Sequence, residues 1–229
     1  MSINATFMDS TSDGTTNSQS SRIAGVIDLS DARKVGVIVG MRWEGSDATA
    51  SVDNDQSDTF VSVGKVSNDS GSDNLYTEVF VALDVQDDTF STITGNLSAS
   101  RDWLYVHAIS FSYEGNAEVA TAITGFDIDN DSSAAVLDSS LSAVAGDMAF
   151  QMLGNYSGSA DVSSWNGGFT AFGVEVASEA AYNIGAYSGT AGCSLDANDT
   201  WNLIGVVIQE VGGSSFQAAW AIHANTIIG

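Results

Sequence analysis

The chain of 229 residues carries 29 acidic against 6 basic side chains, a formal net charge of −23, although charged residues make up only 15 % of it. A surface so poor in cations repels phosphate, which argues against nucleic acid and an anionic membrane as partners. Cys193 is the only cysteine, so no internal disulfide forms, and the two histidines, His107 and His223, fall in no recognisable catalytic signature.

The opening stretch MSINATFMDSTS has neither the positive n-region nor the apolar h-region of a signal peptide. No apolar run approaches the roughly 18 residues of a membrane helix. Synthesis in a host cytoplasm, without a membrane partner, is therefore expected. All six basic residues (Arg22, Arg33, Lys34, Arg42, Lys65 and Arg101) precede position 102, so the rest of the chain is purely acidic. Proline is absent, and Ser, Thr, Asn, Asp and Gly punctuate the chain instead, each through its own turn chemistry.

Period-2 patterning dominates from the start. Weak strand signals at 5–8 and 21–27 precede a strong one, KVGVIVGMRW, at 34–43. The next segment, SVDNDQSDTFVSVG (51–64), sets Asp53, Asn54, Asp55 and Asp58 before an alternating run. Short polar side chains bond their own backbone, so these residues read as the turn before a strand at 59–66 and not as a metal loop or catalytic pair. LYTEVFVALDV (75–85) is the next strong strand, followed by a weak one at 90–94.

WLYVHAISFSY (103–113) puts Trp103, Tyr105, His107, Ile109, Phe111 and Tyr113 on one face and Leu104, Val106, Ala108, Ser110 and Ser112 on the other. The aromatic face is expected to be core, with His107 buried and satisfied. An aromatic platform for sugar rings is the competing reading.

DIDNDSSAAVLD (127–138) then spaces Asp127, Asp129 and Asp131 like positions 1, 3 and 5 of a calcium loop, with Asp138 at the last position. Ser132 stands where that loop requires glycine, and Asp138 is shorter than the bidentate glutamate. A solvated acidic turn without metal is expected. A short helix or a long connection is expected at 132–147. Strands follow at 148–153, 168–177, 181–189 and 201–211. About eight to eleven strands in all amount to an all-β, two-sheet antiparallel sandwich.

The succession VGVIVGMRWEG, the acidic turn at Asp53 leading into TFVSVG, LYTEVFVAL and WLYVHAISFSYEG resembles the jelly-roll β-sandwich modules of bacteriophage virions. WNLIGVVIQEV resembles the closing strand of such a module. The resemblance implies a jelly-roll-like single domain over 1–211 with a C-terminal apolar extension, 212–229. It implies a non-enzymatic capsid decoration (cement) subunit on the outer capsid surface, needing no cofactor. Its partners would be the major capsid protein and copies of itself, a trimer being favoured.

The extension offers Phe216, Trp220, Ile222, Ile227 and Ile228 as an interface with a neighbouring subunit or the capsid floor, because exposed aromatic and aliphatic side chains mark an interaction site; the competing expectation is that it folds back as one more strand of its own sandwich. The alternative is a carbohydrate-binding or receptor-binding module of a tail appendage or bacterial surface protein. That reading requires at least two of Trp43, Trp103, Tyr105 and Trp165 to be exposed and coplanar.

Overall fold

A computed structural model describes residues 2–68, 74–85, 90–127, 141–156, 161–175, 177–189, 192–197 and 200–211, with the side chains of 121–127, 174, 188 and 189 left aside. Every regular element among them is a strand. In the first half these are β1 (Thr6–Thr15), β2 (Gln19–Asp28), β3 (Lys34–Glu44), β4 (Ala50–Asn54), β5 (Val61–Asn68), β6 (Leu75–Val85) and β7 (Phe90–Tyr113). The second half adds β8 (Ala117–Asp127), β9 (Leu141–Ala143), β10 (Met148–Asn155), β11 (Val162–Trp165), β12 (Thr170–Glu175), β13 (Ser178–Asn183), β14 (Tyr187–Gly189), β15 (Cys193–Leu195) and β16 (Trp201–Glu210). The segment 141–147, expected as helix or connection, contains β9; 128–140 lies outside the described residues.

Two five-stranded antiparallel sheets form the expected sandwich. One runs β1-β7-β3-β6-β5 and the other β12-β13-β10-β16-β8. Ile38, Val79, Val81, Ile109 and Phe111 of the first meet Met148, Phe150, Met152, Ile204 and Val206 of the second in one core cluster. Jelly-roll winding is not confirmed by this order, since each sheet takes its strands from one half of the chain.

Both sheets are also covered on their outer faces, which explains why β3, β10 and β16 are buried almost without interruption. A strand buried on both sides needs apolar residues at consecutive positions, and VGVIVGM and LIGVVI supply them. Outside the first sheet lie β2, the start of β7, and β4, which seal Val35, Val37, Val39, Met41 and Trp43 under Ile27, Leu29, Ile93 and Leu97. Outside the second lie two short ribbons, β9 with β14 and β11 with β15.

The 24-residue β7 joins two of these layers. Its first part pairs with β2 and β4, and its last part with β1 and β3. The change of layer falls at Trp103, whose backbone takes φ +52°, and the register with β3 slips there, between Arg42 and Glu44. A left-handed residue inside a strand turns the chain out of one sheet, so β7 enters the sequence reading as two separate strands, 90–94 and 103–113.

Candidate functional site

Of the acidic residues expected in the opening turn, Asp58 is tied locally to Asn54, while Asp53 and Asp55 are held by β7. The Asn54 side-chain N–H donates to Asp58 Oδ2 at 2.8 Å, and the Asp58 backbone N–H donates to Asn54 Oδ1 at 2.9 Å. Asp55 accepts from Ser91 Oγ at 2.5 Å and from the Thr92 backbone, and Asp53 accepts from Asn96. The expected turn links β4 to β5, but it begins at Asp55: Asp53 and Asn54, expected within it, are the last two residues of β4, paired with Thr94 and Ile93. Among the described residues no group of three or more His, Cys, Asp or Glu is arranged to hold a metal. Asp127 ends β8 opposite Trp201; Asp129, Asp131 and Asp138 lie outside the described residues.

The aromatic platform does not form. Trp43 is fully buried and Tyr105 is 3 % exposed, while Trp103 and Trp165 are half-buried. Trp103 stacks on Tyr105 with ring centroids 6.4 Å apart, and both rings flank the Arg42 guanidinium at 5.8 Å. Trp103 and Tyr105 wrap a buried cation and none of the four rings is fully exposed, so the pair of exposed, coplanar rings that a sugar platform requires is missing. The expectation that the aromatic face of 103–113 is core holds instead.

Arg42 is the centre of a polar cluster between the two sheets. It is fully buried, donates to the carbonyl of Trp103 at 2.9 Å, and also donates to Glu44 and to the carbonyl of Asn155 on the facing sheet. Beside it, Thr77 donates to Asn202 Oδ1, whose amide N–H in turn donates to the Leu75 carbonyl. Buried polar groups satisfied in this way fix the register of one sheet on the other.

Among the described residues, His107 and Ser178 form the pair that most resembles catalytic machinery, with Nε2 and Oγ 2.9 Å apart. The Ser178 hydroxyl donates to the Leu153 carbonyl at 3.0 Å, so its proton is already committed. Nε2 must then carry the hydrogen and donate to Oγ, which is the reverse of what a general base does for a nucleophilic serine. Burial alone lowers the His107 pKa to about 3, so the ring is neutral. Cys193 is fully buried, and burial followed by the Glu179 carboxylate pushes its thiol far above the usual range. Such a thiol is not a nucleophile.

No family model matches the chain, and no curated protein or solved structure is similar to it.

The cations are fully used within the fold. Arg22 pairs with Asp13 at 2.5 Å, Arg33 with Asp31 at 3.2 Å and Lys34 with Asp84 at 3.2 Å. The Arg33 hydrogen bonds hold the Asp31 carboxyl down to about 2. Lys65 binds Asp47 and lies 5.1 Å over the Trp43 ring, while Arg101 donates to the carbonyls of Ser46 and Asp47. With Arg42 buried, no basic residue is left to build a cationic patch. Among the described residues, no helix is long and apolar enough to cross a membrane.

The surface feature that sequence reading missed lies on the outer face of β2 and β7. Ile23, Val26 and Phe90 are 55, 57 and 58 % exposed. A bulge between Ile23 and Gly25 lets Ile23 and Val26 share the outer face while Ala24 and Ile27 both point into the core. Val26 pairs with Thr92 and Asp28 with Phe90, which places the three apolar groups together. The simple alternation of 21–27 hides this, because the bulge breaks the period. The expected interface residues Phe216, Trp220, Ile222, Ile227 and Ile228 lie outside the described residues.

Proposed function

We propose that this protein is a non-enzymatic structural subunit of a virion, a decoration protein that seats on the outer capsid surface beside copies of itself. The observation that carries this reading is the Ile23, Val26 and Phe90 group on the outer layer. A cluster of large apolar side chains on a rigid sheet favours contact with another protein surface. The rigid, multiply covered sandwich, the neutral His107 and the committed Ser178 hydroxyl fit a protein that works through its surfaces. The resemblance of the 34–113 strand succession to phage virion modules supplies the identity of the partner, the major capsid protein. The apolar extension 212–229, with Trp220 as its largest anchor, adds a second attachment in this reading.

The test is a density gradient of virus particles from the source of the gene, probed with an antibody to this chain and combined with imaging of the positive fractions. The chain is expected to co-migrate with icosahedral particles. The triple variant Ile23→Ser, Val26→Ser, Phe90→Ser changes only exposed positions, where substitutions cost about 0.5 kcal/mol or less each, so it folds. It is expected to remain in the unbound fraction at the top of the gradient. Wild-type protein absent from every particle fraction overturns the reading, and a triple variant that decorates as well as the wild type removes this face from it.

A further inference from the structure

On the side of the molecule away from that apolar face, the ribbon of β11 and β15 stands over the outer face of β10, β13 and β16. Trp165, Cys193 and Leu195 anchor it against Leu153, Trp201 and Leu203. Beside the ribbon lies a cleft of about 530 Å³ walled by Trp165, Phe169 and Ala171 and by Asp161, Ser163 and Glu179.

Glu179 is 6 % exposed and accepts a hydrogen bond from the Val162 backbone N–H at 2.9 Å. Burial pushes its carboxyl pKa up, and the carboxylates of Asp161 and Asp196 push in the same direction. Buried carboxylates are ordinarily paired with a cation. No lysine or arginine pairs with this one, because none follows Arg101 and the six that exist are engaged elsewhere in the fold.

A second buried polar group lies on the same sheet face, two strands in from the cleft wall. Gln151 is fully buried, and neither its amide oxygen nor its amide nitrogen has a hydrogen-bond partner. It sits on the outer face of β10, in the cross-strand row Gln151, Ala181, Ala171, whose last member lines the cleft. Trp165 packs against clusters on both sides of that row, touching those that hold Leu153 and Ala149.

We propose that this cleft binds a primary ammonium group, carried by a lysine side chain of a partner protein or by a free alkylamine. The ammonium is received by the carboxylates of Glu179 and Asp161, and its alkyl stem lies along Trp165 and Phe169. Charge-assisted hydrogen bonds and the indole face both favour a cation. A neutral sugar would leave the Glu179 charge uncompensated, and a bare metal ion would leave the aromatic wall unused. The order of the layers turns the cleft outward when the Ile23 face is docked. That orientation rests on the proposed function, whereas the binding does not.

The experiment is a titration of the isolated, full-length protein with N-acetyl-lysine methylamide, followed by the NMR signal of the Trp165 indole N–H. N-acetyl-norleucine methylamide, n-butylamine, a lysine-containing tripeptide and lactose are titrated in parallel. Saturable shifts with the two small amines, absent with the norleucine compound, are expected. Glu179→Gln keeps the shape and the acceptor for Val162 and is expected to weaken binding about tenfold or more. Asp53→Asn, in the β4 turn, is expected to change nothing. Tighter binding of the tripeptide than of n-butylamine identifies a protein lysine as the source, and equal binding identifies a free amine.

No saturable shift with either amine overturns the proposal, as does lactose binding in their place or unchanged affinity in Glu179→Gln. Particle decoration is read separately: a chain that decorates but binds no amine loses only this site, and one that binds amines but never decorates loses only the proposed function.

Discussion

Replacing Arg42 with methionine is expected to lower the melting temperature by about 6–20 °C, one of the largest effects of any conservative-volume change in the protein. Arg42 stands on β3, is fully buried, and bonds Glu44 on its own strand, the Trp103 carbonyl on β7 and the Asn155 carbonyl on the facing sheet. Methionine fills much of the space but donates nothing. Glu44, only 7 % exposed, then loses the guanidinium that compensates it, and two carbonyls lose a donor. Removing one partner of a buried pair costs about 3–5 kcal/mol, and each kcal/mol is worth about 2–4 °C in a domain of this size.

The double variant Arg42→Met, Glu44→Met is the control. Replacing both ions with apolar groups is often close to neutral, so the double variant is expected to be more stable than Arg42→Met alone. Thermal unfolding followed by circular dichroism measures both. A single variant within 2 °C of wild type would show that the cluster does not hold the sheets together.

That cluster also shows where the sequence was legible and where it was not. Strands with strong alternation or long apolar runs, such as β3, β6 and β16, stand out because burial demands β-branched and aromatic residues at known spacing. β8, with the sequence AEVATAITGFD, does not. It is an edge strand whose alanines and threonines blur the contrast between faces. β11 and β15, four and three residues long, are too short to carry any period.

Within the strands, alternation puts Arg42 and Glu44 on one face of β3, and two opposite charges there carry no local sign of burial. Only the left-handed turn at Trp103 and the arrival of Asn155 from more than a hundred residues away make that face dry. Glu179 is hidden for the same reason. In the stretch SEAAYN nothing distinguishes a solvated glutamate from one that a distant ribbon covers. In the acidic turn only the Asn54 and Asp58 bonds are local enough to be read; the partners of Asp55 and Asp53, Ser91, Thr92 and Asn96, arrive from β7.

Acid is expected to unfold the protein through His107 before most carboxylates titrate. The ring is buried between the sheets on β7, facing Ser178 of β13 and close to Gly173 of β12 and Ser12 of β1. It stays neutral in the folded chain down to about pH 3, whereas in the unfolded chain it takes up a proton near pH 6.5. Between those values the unfolded state binds one more proton than the folded state. Stability contributed by the neutral ring is therefore complete above pH 6.5 and is lost progressively as the pH falls toward 3, by up to about 1.4 kcal/mol per unit.

Glu78, Asp147 and Glu179 act in the opposite sense, since burial raises their pKa values and the folded state holds their protons first. Comparison with His107→Gln cancels those contributions, because the variant shares them. Its amide N–H replaces Nε2 as donor to Ser178 and does not titrate. Between pH 6.5 and 5 the wild type is expected to lose about 1.6 kcal/mol more than the variant, equivalent to about 3–6 °C in melting temperature. The measurement is a series of thermal melts of both proteins at half-unit pH steps. Parallel curves across that window would mean that His107 takes up its proton as readily in the folded chain as in the unfolded one, and its reading as a buried neutral ring would have to be withdrawn.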